Sequence, residues 1–187
     1  MITIVLTPPY LIFLGAETKP AYAKTGVGIV EWRPELCKGQ INLKGGTINL
    51  GLPVMTLPEA VDAGIKSVII GTACIGGDIP EDWLDTLEEA ANLGLNIVAG
   101  VHSKLRDHPR LKTATERSGS ALIDVRDPPQ NLPVGTGKKR TGKRLLTVGT
   151  DCALGKKYTA LALESDMKAA GINADFRASG QTGIMIA

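Results

Sequence analysis

Apolar residues fall along this chain in short blocks separated by glycine- and proline-marked turns, and the blocks alternate between two periods. Ser67-Val-Ile-Ile-Gly-Thr72 is a β-branched run ending in glycine, which predicts a buried strand. Pro58–Gly64 before it predicts a short helix with proline in its first turn and glycine at its end. Between Pro80 and Leu93 the residues Trp83, Leu84, Leu87, Ala90 and Ala91 recur at helical spacing with acids outside, and Gly94 is placed to cap the end. Asn96–Gly100 predicts the next strand and Ala121–Val125 another. Lys104–Ser118 between them is helical in part, with Pro109 marking a break or a new first turn. Arg33 is expected just after a further predicted strand. This βαβα rhythm predicts an open, mostly parallel sheet.

The apolar stretch Met1–Ala16 has the look of a signal peptide, but it lacks a basic start and Pro8-Pro9 interrupts it. It is too short to span a bilayer, and it predicts a strand or strap packed on the sheet.

The pattern breaks at 127. Across 127–143 three prolines, three glycines and a basic cluster appear without periodicity, which predicts an interdomain linker. A second unit is expected over 144–187: a strand at Leu145–Val148, a helix at Gly155–Ala170 ended by Gly171, and a second strand at Ala174–Ser179. One βαβ unit cannot close its own core, so the chain is expected to be a fragment of a longer protein.

Composition narrows the picture. The 187 residues are 43% hydrophobic and 21% charged, with aromatics at only 4%. A core of Ile, Leu, Val and Ala suits a parallel sheet covered by helices. The formal net charge of +2 gives no support for nucleic-acid or membrane attraction. Lys138, Lys139, Arg140, Lys143 and Arg144 nevertheless crowd into seven positions, either as a solvated linker or as a positive lip beside an anion site. The three cysteines (Cys37, Cys74, Cys152) contain no CxxC pair, and there are only two histidines. A disulfide framework, a zinc site and a metal enzyme are therefore not expected, and the reduced thiols suit a cytoplasmic location.

The strongest local motif is Gly149-Thr-Asp-Cys-Ala-Leu-Gly-Lys-Lys-Tyr-Thr159. An apolar run leads into a glycine-bounded loop, and the loop leads into Gly155-Lys156 at a helix start. Free backbone N–H groups and the positive helix end suit a polyphosphate, with the lysine ammonium reaching a phosphate. The spacing departs from G-x-x-x-x-G-K-[ST]: five residues separate Gly149 from Gly155, and Lys157 stands where a Mg²⁺-binding hydroxyl is usual. Thr159 lies two positions further on. Phosphate binding by Gly149, Thr150, Asp151, Cys152, Gly155, Lys156, Lys157 and Thr159 is expected; the plainer alternative is an ordinary strand–helix turn. The loop is similar to that of dethiobiotin synthetase-like enzymes, a resemblance confined to the loop.

Four segments together carry a wider resemblance: Tyr10–Gly15 with Tyr22–Thr25, Gly28–Cys37, Asp124–Arg126 with Gly137–Arg144, and Gly149–Thr159 with Ser179–Gly183. As a set they resemble the D-glutamate N-acetyltransferase family, bacterial proteins formerly of unknown function. The resemblance spans nearly the whole chain. It implies an α/β fold with a Rossmann-like N-terminal domain, here 1–126, and a P-loop NTPase-like domain begun at 144–187 and truncated. Family members run well beyond this chain at the C-terminal end. Ser179 stands where the family more often has Thr, and the hydroxyl survives. The implied activity is acetyl transfer from acetyl-CoA to a D-amino acid, with an enolase-superfamily epimerase acting on the product.

On that reading the phosphates of acetyl-CoA meet Lys156 and Lys157, and the missing Mg²⁺ hydroxyl is accounted for. The amine needs a general base, for which Asp151, His102 and Glu35 are candidates. Backbone N–H groups or Thr150 would stabilise an oxyanion. Cys152 is a less favoured nucleophile, its alternative being a small packed loop residue. Substrate carboxylates need cations. Arg33 offers a bidentate grip, or else an ion pair with Glu31 or Glu35; Lys24, Arg126 and Arg177 have the same standing. Gln181-Thr-Gly183 is a further substrate-binding candidate or a plain turn, while Asp78 with Gly76-Gly77 lines the crevice or simply turns. Competing functions are an ATP–Mg²⁺-dependent ligase or kinase and a non-catalytic nucleotide-binding module. A homo-oligomer acting on a small-molecule amino acid, without nucleic acid or membrane, completes the expectation.

Overall fold

The computed structural model describes residues 4–187 except Ile75, Pro129, Gln130, Leu132, Arg140, Cys152, Ala153 and Ser179. The chain divides into two compact units, one of Met1–Asp127 with Ile186 and one of Pro128–Met185 with Ala187.

The first unit is a five-stranded sheet of β1 (Tyr10–Phe13), β2 (Cys37–Ile41), β3 (Ser67–Ile70), β4 (Asn96–Ala99) and β5 (Leu122–Asp124). Every pairing is parallel and the spatial order is β2-β1-β3-β4-β5. Phe13 pairs with both Ile41 and Ile70, and Ala99 with Asp124. In this doubly wound order the chain reverses direction across the sheet between β1 and β3, the topological switch point.

Helices α1 (Lys24–Trp32), α2 (Leu57–Asp62), α3 (Glu81–Asn92) and α4 (Pro109–Ser118) are the crossovers. Alternation along β1 explains the layering. Leu11 and Phe13 enter a cluster with Leu87 and Ala90 of α3 and Leu111 and Ala114 of α4. Ile12 turns the other way, onto Gly26 of α1. Fully burying a side chain of this size contributes about 1.5–3 kcal/mol. Trp83 packs edge-on against Phe13, with ring centroids 5.0 Å apart. Thr56 and Glu59 form a reciprocal capping box at the start of α2. Pro109 takes the first turn of α4, as its fixed φ favours, and Gly119 ends that helix in the left-handed region.

One expectation is corrected here. The apolar run before Arg33 is helix α1, not a strand. Thr25, Gly26, Gly28 and Ile29 share its buried face, and a Cβ at Gly26 would already touch Ile12 at 3.0 Å. Glycine lets the helix backbone settle directly on the sheet, and that packing outweighs the β-branched composition of the segment.

In the second unit α5 (Lys156–Ala169) begins where the sequence places it, with Gly155 left-handed at its N-cap. A short helix, α6 (Gln181–Ile186), follows. The strands expected at Leu145–Val148 and Ala174–Ser179 do not form among the described residues, and Ser179 lies outside them. Leu145, Leu146 and Val148 are exposed. A parallel strand takes its hydrogen bonds from a neighbour, and the described residues of this unit supply none.

Candidate functional site

All five strands point the same way, so the loops after them gather at one edge of the first unit. Between the ends of β1 and β3, at the switch point, is a cleft of about 250 Å³ lined by Ala16, Glu17, Ala73, Cys74, Pro80, Asp82 and Trp83. Glycine shapes its floor: a Cβ on Gly15, which has φ 56°, would sit 2.6 Å from the Trp83 ring. Glu17 folds back so that its Oε1 accepts from the backbone N–H groups of Thr18 and Lys19 at 2.9 and 2.8 Å. Burial, with Asp78 adding to it, pushes the Cys74 thiol up to about 11. The thiol is therefore neutral at physiological pH and unsuited to nucleophilic work. Thr72, just before Ala73, is 3% exposed, and its hydroxyl has no hydrogen-bond partner among the described residues.

The same edge carries a second cluster after β4 and β5. The backbone N–H groups of His102 and Ser103 both donate to the Gly77 carbonyl, at 3.0 and 3.2 Å. The imidazole packs where a Gly77 side chain would begin, its Cδ2 only 2.8 Å from that position. Arg126 Nη1 lies 3.4 Å from His102 Nε2. Arginine can only donate, so as a hydrogen bond this contact has Arg126 donating and Nε2 accepting. Beside it, Lys104 and Arg106 both hold Asp127, at 2.9 and 2.6 Å, and Lys104 also donates to the Arg126 carbonyl at 2.6 Å. Arg106 and then Lys104 lower the Asp127 carboxyl to about 2. Two sequence candidates, His102 and Arg126, thus meet.

Lys24 is exposed at the start of α1, on this same edge. Arg33 is elsewhere. It ends α1 and precedes β2, which places it at the opposite, amino edge of the sheet. There its Nη1 donates to the Trp32 carbonyl at 2.7 Å, and its own carbonyl accepts from Cys37 Sγ at 3.4 Å. Among the described residues it pairs with neither Glu31 nor Glu35. Burial, then Glu35, raises the Cys37 thiol to about 11.

In the second unit Gly149, Thr150 and Asp151 lead into the loop, while Cys152 lies outside the described residues. Lys156 Nζ donates across the loop to the Asp151 carbonyl, and Thr147 Oγ1 donates to the Lys156 carbonyl at 2.9 Å. Lys157 lies with its ammonium 4.3 Å from the Tyr158 ring centre. Thr159 turns its hydroxyl onto the Gly155 carbonyl at 3.2 Å, within its own helix. A Cβ on Gly183 would meet Ala178 Cβ at 2.7 Å and Lys157 Cδ at 3.6 Å. The short helix of Gln181, Thr182 and Gly183 therefore starts beside the first turn of α5. Two lysines and the open amides of a 14-residue helix suit a phosphorylated ligand.

Comparison with known proteins places the chain in a family. Residues 41–128 match the family model described as DUF1611_N, a Rossmann-like domain of unknown function, and residues 133–187 match its companion, the DUF1611_C P-loop domain. The chain belongs to this two-domain family. It is 49% identical over 178 residues to the D-glutamate N-acetyltransferase of Tritonibacter scottomollicae, covering 95% of this chain and 54% of that protein. It is 42% identical over 181 residues to the protein of the same name from a Pseudoalteromonas species, covering 97% and 54%. The crystal structure of a DUF1611 family protein from Anabaena variabilis is similar with a TM-score of 0.80 and 31% identity, covering 96% of this chain and 55% of that one. The chain spans about half the length of the curated relatives it matches.

The residues that sequence reasoning passed over are those of the switch-point cleft. Trp83 reads as a core position, and Glu17 and Cys74 belong to no motif. The available signal was the pair of glycine-bearing loops after the first and third strands, Gly15-Ala-Glu17 and Gly71-Thr-Ala-Cys74.

Proposed function

We propose that this chain forms the Rossmann-like and nucleotide-loop part of an N-acetyltransferase that moves an acetyl group from acetyl-CoA to the amine of D-glutamate. The observation that carries the reading is the 49% identity to a D-glutamate N-acetyltransferase across 95% of the chain. The phosphate loop supports the choice of donor. Lys156 and Lys157 open α5 together, and the second lysine replaces the hydroxyl that a Mg²⁺–ATP site would use. Coenzyme A brings a pyrophosphate and a 3′-phosphate that these cations would neutralise without transferring a phosphoryl group.

In the reaction the amine nitrogen attacks the thioester carbonyl carbon, a C–N bond forms, and the C–S bond breaks. The nitrogen gives up a proton and the departing thiolate takes one up, so charge balances. The Arg126–His102 pair grips a carboxylate of the amino acid, because a guanidinium without an acid partner binds one strongly. On this reading the product passes to an epimerase of the enolase superfamily.

The test uses full-length protein with D-glutamate and either acetyl-CoA or ATP–Mg²⁺, following free thiol and ADP separately. Thiol release that depends on D-glutamate is expected. ADP release without thiol would overturn the reading.

A further inference from the structure

The cleft between β1 and β3 is absorbed neither by the phosphate loop nor by the Arg126–His102 pair. Its position is the crevice outside the carboxyl ends of the strands at the switch point, where open α/β sheets take their ligands. Its chemistry is one-sided. Glu17 and Asp82 contribute carboxylates, and no Lys, Arg or His is among its lining residues. Glu17 spends Oε1 on two backbone amides and leaves Oε2 without a described partner. Trp83 lines the space as well. The buried Thr72 hydroxyl, in the loop that continues into the lining residues Ala73 and Cys74, has no partner among the described residues.

We infer that this cleft binds the primary ammonium of a small amino acid, with Glu17 as the residue that recognises it. The inference rests on the reading above for the identity of that amino acid. The spacing agrees with it. Neighbouring strands are about 4.8 Å apart, so the loops after β1 and β4 stand about 10 Å apart across β3. That separation matches a five-carbon diacid with a hydrogen bond at each end, its amine at Glu17 and its distal carboxylate toward the loop after β4, where the Arg126 side chain reaches over to His102.

The experiment is calorimetric titration of full-length protein with D-glutamate and with glutarate, which is the same diacid without the amine. Glu17→Gln keeps the acceptor for the Thr18 and Lys19 amides and removes the charge. Its Kd for D-glutamate is expected to rise tenfold or more while its Kd for glutarate stays unchanged. Ala73→Phe fills the cleft without altering charge, and it is expected to weaken D-glutamate to a similar extent. Wild-type D-glutamate affinity in both variants overturns the inference, and so does the absence of any D-glutamate binding to the unmodified protein. If the variants lose D-glutamate but the unmodified protein releases no thiol from acetyl-CoA, the cleft stands and the acetyltransferase reading falls. If thiol release proceeds with an unchanged KM in both variants, the reading stands and the cleft falls.

Discussion

Arg126 directs its guanidinium at Nε2 of His102 over 3.4 Å, and among the described residues no carboxylate pairs with it. Its neighbours behave differently: Lys104 and Arg106 share Asp127, and Arg110 holds Asp85 and Glu88 at 2.6 Å each. On the proposed reading, this exposed guanidinium at the carboxyl edge of the sheet is the one offered to a substrate carboxylate. Replacing Arg126 with Ala is expected to raise KM for the amino acid about 10- to 100-fold, the scale of a hydrogen bond to a charged group, with kcat changed little. Arg126→Lys is expected to recover only part of the loss, since lysine lacks the forked donor. Steady-state kinetics of the full-length protein checks both. A fall in kcat with KM intact would remove Arg126 from carboxylate binding.

Gly71, just after β3, is packed closely against both β1 and α1. A Cβ there would sit 2.6 Å from Ile12 Cγ2 and 3.1 Å from the Gly26 backbone. The Gly26 amide also donates to the Gly71 carbonyl at 2.8 Å, so α1 is tied down at that point. Gly71→Ala is expected to destabilise the first unit by about 1–3 kcal/mol through overpacking. Denaturant unfolding followed by tryptophan emission would show it as a lowered midpoint at constant slope.

Much of the first unit was legible in its sequence. From Ser67 to Asp124 the apolar period changes cleanly and glycine or proline marks each boundary, so strands and helices are found within a residue or two of their predicted ends. Helix α1 was not legible. Val27, Ile29 and Val30 suggest a strand, and only the approach of Gly26 to Ile12 and Gly71 makes the helix preferable. Leu145–Val148 fails the opposite way: its composition is that of a strand, but pairing depends on a partner that the segment does not contain. The meeting of the two loops that form the cleft was not legible, for a topological reason. Glu17 and Cys74 come together because β3 returns to the far side of β1, and a hydrophobic period carries no information about strand order.

Asp127 gives the first unit a pH signature. Its carboxyl is lowered from 3.8 to about 2 by the hydrogen bonds and charges of Arg106 and Lys104. A depressed folded-state value stabilises the fold above the unfolded-state pKa, and the contribution disappears as pH falls toward the folded-state value. Wild type is therefore expected to be more stable than Asp127→Asn at neutral pH, and the gap should close between about pH 4 and pH 2. The pair is solvent-exposed, so added salt should shrink the gap as well. A gap that persists below pH 2 would mean that the substitution acts through something other than this charge.

The loop of the second unit makes the sharpest demand on the acetyl-CoA assignment. Lys156 bends across the loop to the Asp151 carbonyl, so a bound phosphate would draw the ammonium away from a weaker, neutral acceptor. Lys156→Ala is expected to weaken acetyl-CoA about 10- to 100-fold, on the scale of a charged hydrogen bond, and to leave D-glutamate affinity unchanged. Lys157→Ser separates the two nucleotide chemistries. It removes one cation and installs the hydroxyl that holds Mg²⁺ in ATP-binding loops. Acetyl-CoA affinity should drop, and Mg²⁺–ATP affinity should rise or stay the same. Competition titrations with acetyl-CoA and with ATP, each with and without Mg²⁺, distinguish the cases. If Lys156→Ala kept full acetyl-CoA affinity, the loop would have no part in holding the donor. If Lys157→Ser bound acetyl-CoA as tightly as wild type, the second lysine would not explain the missing hydroxyl.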